Sequence, residues 1–213
     1  ITNGLTAAFP DIPVLSEEAA DIDFTTRRTW TTYWLIDPLD GTREFLKGNG
    51  DFTVNIALIH QNEPVIAVVY APVYNLLFNA INGEGAYRIE NNKKSQIHTR
   101  PADLNFLTVT SSRSHSQANV PKMTTSLPNC TVIPMGSSLK TCTVAEGRAD
   151  IYPRFGPTSE WDTAASQCVI EAAGGCIMDV TGAKLRYNTK SSLLNPWFIA
   201  IGDQTVDWIA LIP

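Results

Sequence analysis

Cysteine is scarce: 213 residues carry Cys130, Cys142, Cys168 and Cys176, with no C-x-x-C pair among them. That spacing suits neither a zinc site nor a disulfide framework, so free thiols in a reducing, cytoplasmic setting are expected. Long apolar runs are missing as well. No stretch reaches the ~18 residues of a spanning-helix candidate, and no basic segment followed by an apolar one opens the chain. Positive charge is in deficit, with 16 Lys+Arg against 21 Asp+Glu and a net charge of -5. A protein that holds nucleic acid by its general field has the opposite balance, so an anionic ligand here needs a local cation. Only 13 Gly and 13 Pro occur, without repeats or low-complexity tracts, and 44% of residues are hydrophobic. Disordered and collagenous chains are thereby excluded, and the length suits two closely packed lobes.

Strand patterns fill the first half. Tyr33-Trp34-Leu35-Ile36 is a short apolar run that Asp37-Pro38 should stop, and Thr53 to His60 should pair with Val65 to Tyr70 across Gln61-Asn62-Glu63-Pro64. Both faces of Val54 to Ile59 are largely apolar, which predicts a sheet covered on both sides. Leu76 to Ala80 and Gly85 to Ile89 extend the meander around an Asn82-Gly83 turn. The pattern breaks near Arg100-Pro101-Ala102-Asp103, giving lobes 1–103 and 104–213. Beyond it, strands at Leu107 to Thr110, Thr131 to Ile133 and Ile151-Tyr152 alternate with helices at Ser138 to Glu146 and Asp162 to Ala173. In the last helix Ala165, Cys168, Val169 and Ala172 recur at amphipathic spacing before a Gly174-Gly175 stop. Ile1 to Phe9 reads as the end of a helix, so a segment ahead of residue 1 is expected.

The chemistry concentrates in Asp37-Pro38-Leu39-Asp40-Gly41-Thr42. Asp37 and Pro38 suit the first two positions of a turn, so the chain should reverse with both carboxylates inside. Two such charges repel unless a cation separates them, and a hard divalent ion accepts carboxylate and carbonyl oxygens, that of Leu39 included. Gly41 and Thr42 then open a short helix whose unpaired N–H groups suit an anion. An ordinary Asp-Pro turn with an N-capping Asp40 accounts for the same residues. Glu17-Glu18 reads either as a solvated helix start or as a ligand pair, and Asp162 either as a cap or as a ligand. Ser137-Ser138-Leu139-Lys140 opens a helix that offers hydroxyls, N–H groups and a charge to phosphate, or merely caps itself. Arg154 and Ser111 to His115 lie at strand ends, where α/β folds place ligands, while His60 and His98 read as surface residues.

Together these segments resemble the inositol-monophosphatase superfamily of metal-dependent, lithium-sensitive phosphatases. Its hallmark D-P-L-D-G-T follows a W-L-I strand, with E-E upstream and W-D-x-A-A downstream, matched by Asp37 to Thr42, Trp34 to Ile36, Glu17-Glu18 and Trp161 to Ala165. Pro13 to Glu18, Thr53 to Ile59, Val69 to Val73, Ser112 to His115, Gly136 to Lys140 and Tyr152 to Thr158 are similar to the CysQ-type 3'(2'),5'-bisphosphate nucleotidases. The resemblance implies a layered α-β-α-β-α sandwich with the site between two sheets. It also implies two or three Mg2+ ions on Glu17, Asp37, the Leu39 carbonyl, Asp40 and Asp162. Asp40, Gly41 and Thr42 would contact the scissile phosphate, with Thr42, Asp40 and Glu17 in catalytic roles. Ser137, Lys140, Arg154 and His115 are assigned to the nucleotide side. The implied reaction takes 3'-phosphoadenosine 5'-phosphate to AMP, and by extension the sulfated analogue, within sulfur metabolism. The family pattern further contains an upstream helical segment whose acidic residue works with the Thr to deprotonate water, and residues 1–16 hold no counterpart. The same residues leave open an inositol-monophosphate or fructose-bisphosphate phosphatase, a non-catalytic metal and nucleotide binding module, and peripheral attachment to the inner membrane face.

Overall fold

The computed structural model describes residues 1–113 and 129–212. After helix α1 (Thr2–Ala8) come seven strands hydrogen-bonded in chain order: β1 (Val14–Ser16), β2 (Thr32–Asp40), β3 (Thr53–His60), β4 (Glu63–Ala71), β5 (Leu76–Ile81), β6 (Gly85–Glu90) and β7 (Lys93–Ile97). β1 runs parallel to β2 and every other pair is antiparallel. Two of the hairpins are closed by residue pairs with positive φ, Gln61-Asn62 (50° and 67°) and Asn91-Asn92 (50° and 61°). That backbone matches the right-handed twist of the strands it joins. The four-residue loop expected at Gln61 to Pro64 therefore shrinks to two, because Glu63 and Pro64 pair with His60 and Ile59 beside a register shift that accommodates the proline.

The second sheet contains β8 (Thr108–Ser112), β9 (Thr131–Met135), β10 (Ile151–Arg154), β11 (Cys176–Asp179) and β12 (Phe198–Ile201), ordered β11-β12-β10-β8-β9. β8 is parallel to β9 and β10, and β12 is antiparallel to β10 and β11. Short helices α2 (Phe24–Arg27) and α3 (Thr42–Lys47) decorate the first sheet, whereas α4 (Leu139–Ala145) and α5 (Glu160–Ala172) form the layer between the sheets. α5 lies across β2 to β6, and α4 packs on α5 and on β8, β10 and β12. Their small buried residues, among them Ala164, Ala165, Cys168 and Cys142, let helix and sheet approach closely in one core with Leu35, Ala57, Ile59 and Phe78. Leu107, Val109, Ile151, Ile199, Ile201 and Trp208 make a smaller core on the second sheet. The result is the expected alternation of helical and sheet layers. Among the described residues no helix is long and apolar enough to cross a membrane.

Three expectations are corrected. β3 is not covered on both faces: Thr53, Asn55, Ala57 and Ile59 are buried, while Val54, Ile56 and Leu58 are half-exposed. The outward residues shield one another in cross-strand pairs, Ile56 with Val68 and Leu58 with Ile66, which explains why an apolar run there did not require a second layer. α5 begins at Glu160 rather than Asp162, because the Asp162 carboxylate accepts the Ser159 N–H (2.9 Å) from the third helical position. Lastly, β2 does not end at Asp37-Pro38 but runs through to Asp40.

Candidate metal and phosphate site

β1 and β2 set the first acids side by side. Ser16 lies opposite Ile36 in the parallel ladder, so the next residue in each strand brings Glu17 beside Asp37. On the other edge of β2, Asp37 opposes Asn55 and Asp40 opposes Thr53: three steps along one strand meet two along the other. The extra residue is a β-bulge in which Pro38, with no N–H to give, takes an unpaired place. A bulge thus replaces the reversal expected at Asp37-Pro38, and the actual turn falls at Gly41 (φ 91°), which caps α3. A bulge bends and twists its strand, which re-aims the carboxylate of Asp40. The Leu39 N–H closes the bulge on Asp37 Oδ1 (2.9 Å), and the Leu39 carbonyl accepts only a long 3.5 Å hydrogen bond from the Thr42 hydroxyl.

α5 supplies Asp162 from the facing layer. Carboxylate oxygens of Asp37, Asp40 and Asp162 lie within 4.8 Å of one another. At an effective dielectric constant near 20, unit charges that close repel by roughly 3 to 4 kcal/mol per pair. Burial, followed by the charges of Asp40, Glu17 and Asp162, pushes the Asp37 carboxyl up to about 9. Burial and Asp40 push Asp162 up to about 7, against the Ser159 N–H that pulls it down. Glu17 is raised mainly by desolvation, with Asp40 and Glu18 adding to it. None of the salt bridges among the described residues reaches any of these four acids.

A cleft of about 280 Å³ opens over this cluster. Glu17, Asp37, Leu39, Asp40, Gly41, Thr42 and Asp162 all line it, so the three segments that sequence assigns to the metal and scissile phosphate meet at one place. Ser137, Lys140 and Arg154 line it too, while His115 lies outside the described residues. The environments of these three differ from a free phosphate clamp. Ser137 Oγ donates to Asp40 Oδ2 (2.5 Å), and Lys140 Nζ, on a side chain only 5% exposed, donates to the Ser137 carbonyl (2.6 Å). Desolvation pushes that ammonium down to about 8, with Asp40 working against it. Arg154 spends one N–H on the Pro157 carbonyl (2.8 Å) and keeps a buried Nε without a partner. Glu18 stays on the solvent side of its 3-10 turn, and His60 bonds Thr32 (2.8 Å) at the surface.

Sequence reasoning overlooked Thr53 and Asn55, both buried and both within reach of Asp40 Oδ2 (3.4 and 3.2 Å). A signal existed: they are the two polar residues at the inward positions of a strand otherwise inward-facing with Ala57 and Ile59. It also overlooked Asp51, which accepts the Gly136 N–H (3.0 Å) and pairs with Arg113 (3.1 Å), fastening the Gly136–Ser138 loop to the first sheet.

All-oxygen donors, mutual repulsion and the lack, among the described residues, of a salt bridge to any of these acids together describe a site for a hard divalent ion. Residues 1–204 match the family model described as the inositol monophosphatase family. The chain is 48% identical over 198 residues to the 3'(2'),5'-bisphosphate nucleotidase CysQ of Escherichia coli O6:H1, covering 93% of this chain and 79% of that one. It is equally similar, at 48% with the same coverage, to the protein of that name from Salmonella typhimurium. The crystal structure of CysQ from Bacteroides thetaiotaomicron, a bacterial member of the same family, superimposes with a TM-score of 0.86 at 40% identity, covering 94% and 81% of the two chains. With motif order, layered fold and acid cluster all in agreement, this chain belongs to the inositol monophosphatase family.

Proposed function

We propose that this chain is a Mg2+-dependent phosphatase that converts 3'-phosphoadenosine 5'-phosphate to AMP and phosphate, and that it also accepts the sulfated analogue. The observation that carries the reading is the uncompensated cluster of Asp37, Asp40 and Asp162, found in a chain 48% identical to proteins named bisphosphate nucleotidases. Glu17, Asp37, the Leu39 carbonyl, Asp40 and Asp162 would hold two or three ions. When bound, divalent ions of this kind draw charge from phosphoryl oxygens and make a water acidic enough to attack at neutral pH.

The chain's own contribution is placement. Gly41, in the left-handed region that a side chain would resist, lets the backbone bend so that its N–H and that of Thr42 can meet the scissile phosphate. The Thr42 hydroxyl, held loosely at 3.5 Å from the Leu39 carbonyl, can turn to orient the attacking water. Preorganised donors of this sort supply most of the stabilisation in phosphoryl transfer. On the nucleotide side, Arg154 with its free Nε would meet the second phosphate, assisted by the charge of Lys140 and the side chain of His115, with Ser137 acting through Asp40. A doubly phosphorylated substrate suits two cations in one wall, which a sugar monophosphate does not require. Residues 1–103 and 104–213 are in this reading two closely packed lobes with the substrate site between them, and free cysteines fit a reducing cytoplasm.

The test is phosphate release from 3'-phosphoadenosine 5'-phosphate, inositol monophosphate and fructose 1,6-bisphosphate, each with Mg2+ and with chelator. Turnover of the nucleotide at least tenfold faster, and lost on chelation, is expected. Equal or better turnover of inositol monophosphate would sink the substrate assignment, and chelator-resistant turnover would sink the metal assignment.

A further inference from the structure

A carboxylate that serves a metal has two oxygens to account for, and those of Asp40 are treated very differently. Ser137 Oγ (2.5 Å), the Ser138 N–H (2.8 Å) and Asn55 Nδ2 (3.2 Å) all donate to Oδ2. No hydrogen bond among the described residues goes to Oδ1. Proton counting fixes the orientation of the Asn55 amide. Asn55 has two amide hydrogens and spends them on Asp40 Oδ2 and on Ser138 Oγ (2.9 Å). The Ser138 hydroxyl, with one hydrogen, lies within reach of both the Asp162 backbone carbonyl (2.8 Å) and Asp40 Oδ2 (3.0 Å), and Asn55 Oδ1 accepts from the Thr53 hydroxyl (3.0 Å). Flipping the Asn55 amide would set its oxygen against a carboxylate, so only one orientation satisfies all partners.

The backbone is bent to make these contacts. Ser137 has φ 54°, a region that residues with a β-carbon avoid, and this conformation turns its hydroxyl and the next N–H onto the same oxygen. Strain of this kind concentrates at ligand clamps. Gly136 is required one residue earlier because a Cβ there would lie 2.5 Å from the Asp51 carbonyl oxygen. On the opposite wall, Asn55 is only 1% exposed at an inward position of β3. Donors from β3 and from the loop between β9 and α4 therefore converge on one atom.

We propose that Asn55, Ser137 and Ser138 are positioning residues of the metal site: they saturate Oδ2 of Asp40, leave Oδ1 for the ion, and tie that carboxylate to the helix that carries Asp162. This inference rests on the reading of Asp40 as a metal ligand. It makes cation affinity depend on the docking of the Gly136–Ser138 loop against the first sheet, since neither wall alone supplies all three donors. Partners that orient a ligand in this way typically change metal affinity 10- to 100-fold.

The experiment is calorimetric titration of Mg2+ into the wild-type chain, Asn55→Ala, Ser138→Ala, Ser137→Gly and Asp40→Asn, with the melting temperature of each recorded in chelator. Roughly tenfold weaker Mg2+ binding is expected for Asn55→Ala and Ser137→Gly, and a smaller loss for Ser138→Ala, which keeps its N–H on Oδ2 and gives up only its hydroxyl bonds. Ser137→Gly separates positioning from scaffolding. Glycine relieves the left-handed strain, so the metal-free melting temperature should hold or rise while Mg2+ affinity falls. Wild-type affinity in Ser137→Gly and Asn55→Ala overturns the inference, as does an affinity that drops only where metal-free stability drops. If Asp40→Asn binds Mg2+ like the wild type, or the wild type binds none, the metal reading fails and takes this inference with it. Loss of binding in Asp40→Asn alone leaves that reading intact and rejects only the positioning role.

Discussion

Asp37 and Asp150 are buried to the same degree, each 1% exposed, yet their surroundings are opposite. Asp150 receives Nε and Nη2 of Arg100 (2.7 and 2.9 Å) and the Thr108 N–H (2.7 Å), and the pair holds the Arg100 guanidinium above its ordinary value. Asp37 receives one N–H, from Leu39, and otherwise faces Glu17, Asp40 and Asp162. A buried charge that is matched within the fold does structural duty; a group of like charges left unmatched costs stability until something outside the chain joins it. The difference between the two aspartates separates architecture from function more sharply than burial or motif alone.

The largest contrast should come from charge removal. Asp40→Asn is expected to lower Mg2+-dependent phosphate release by about a thousandfold or more, close to 4 kcal/mol of transition-state stabilisation, while the metal-free protein melts no lower than the wild type. Asp150→Ala should do the reverse. Losing charged hydrogen bonds to buried partners costs about 2 to 3 kcal/mol, read by urea unfolding, with kcat unchanged for the fraction that remains folded. The smaller end of that range is expected because the Arg100 side chain is 40% exposed and partly screened. If both variants lose stability and both keep turnover, the comparison has no functional content.

Protons offer a gentler way to the same contrast. An acid whose folded pKa is raised binds protons more tightly in the native state, so stability falls as pH rises between the unfolded and folded values. Asp37 runs from 3.8 to about 9 and Asp162 from 3.8 to about 7. The metal-free melting temperature should therefore decline from pH 5 to pH 9, and saturating Mg2+ should raise it more at pH 8 than at pH 5. A metal-free protein whose stability rises across that window would contradict the repulsion on which the site rests. The smallest effect concerns the nucleotide side. Arg154→Ala is expected to raise KM about tenfold for 3'-phosphoadenosine 5'-phosphate and about twofold at most for a monophosphate, within the range of one charge-assisted contact. Equal shifts for both substrates would remove Arg154 from the second-phosphate role.

Much of this was legible in the sequence because the informative residues act locally. Thr53 to His60 reads as a strand from its β-branched alternation, the Gly174 stop (φ 105°) from its need for a left-handed residue, and the acids from their contiguous motif. What escaped was non-local. β7 is spelled Lys93-Lys94-Ser95-Gln96-Ile97, a polar edge strand that is held by pairing with β6 rather than by a buried face. The bulge at Pro38 emerges only when β3 is laid beside β2, since the same residues favour a turn in isolation. Ser137 and Lys140 carry the right chemistry for phosphate, yet the Ser137 hydroxyl turns toward Asp40, 97 residues away in the chain, and Lys140 turns back to the Ser137 carbonyl. The roles of Thr53 and Asn55 likewise depend on a partner loop that no local pattern connects to them.

The layering also imposes an order on synthesis. Strands β1 to β7 are complete once Ile97 has been made, but α5, which covers their inner face, begins only at Glu160. At translation rates of roughly 5 to 20 residues per second, the intervening stretch of about sixty residues takes on the order of 3 to 13 s. For that time Leu35, Ala57, Ile59, Val69 and Phe78 present an apolar surface with no helix to shield it, on a hairpin-built sheet able to pair early. The placement of one late helix therefore sets how long the inner face of the first sheet stays uncovered while the chain is made.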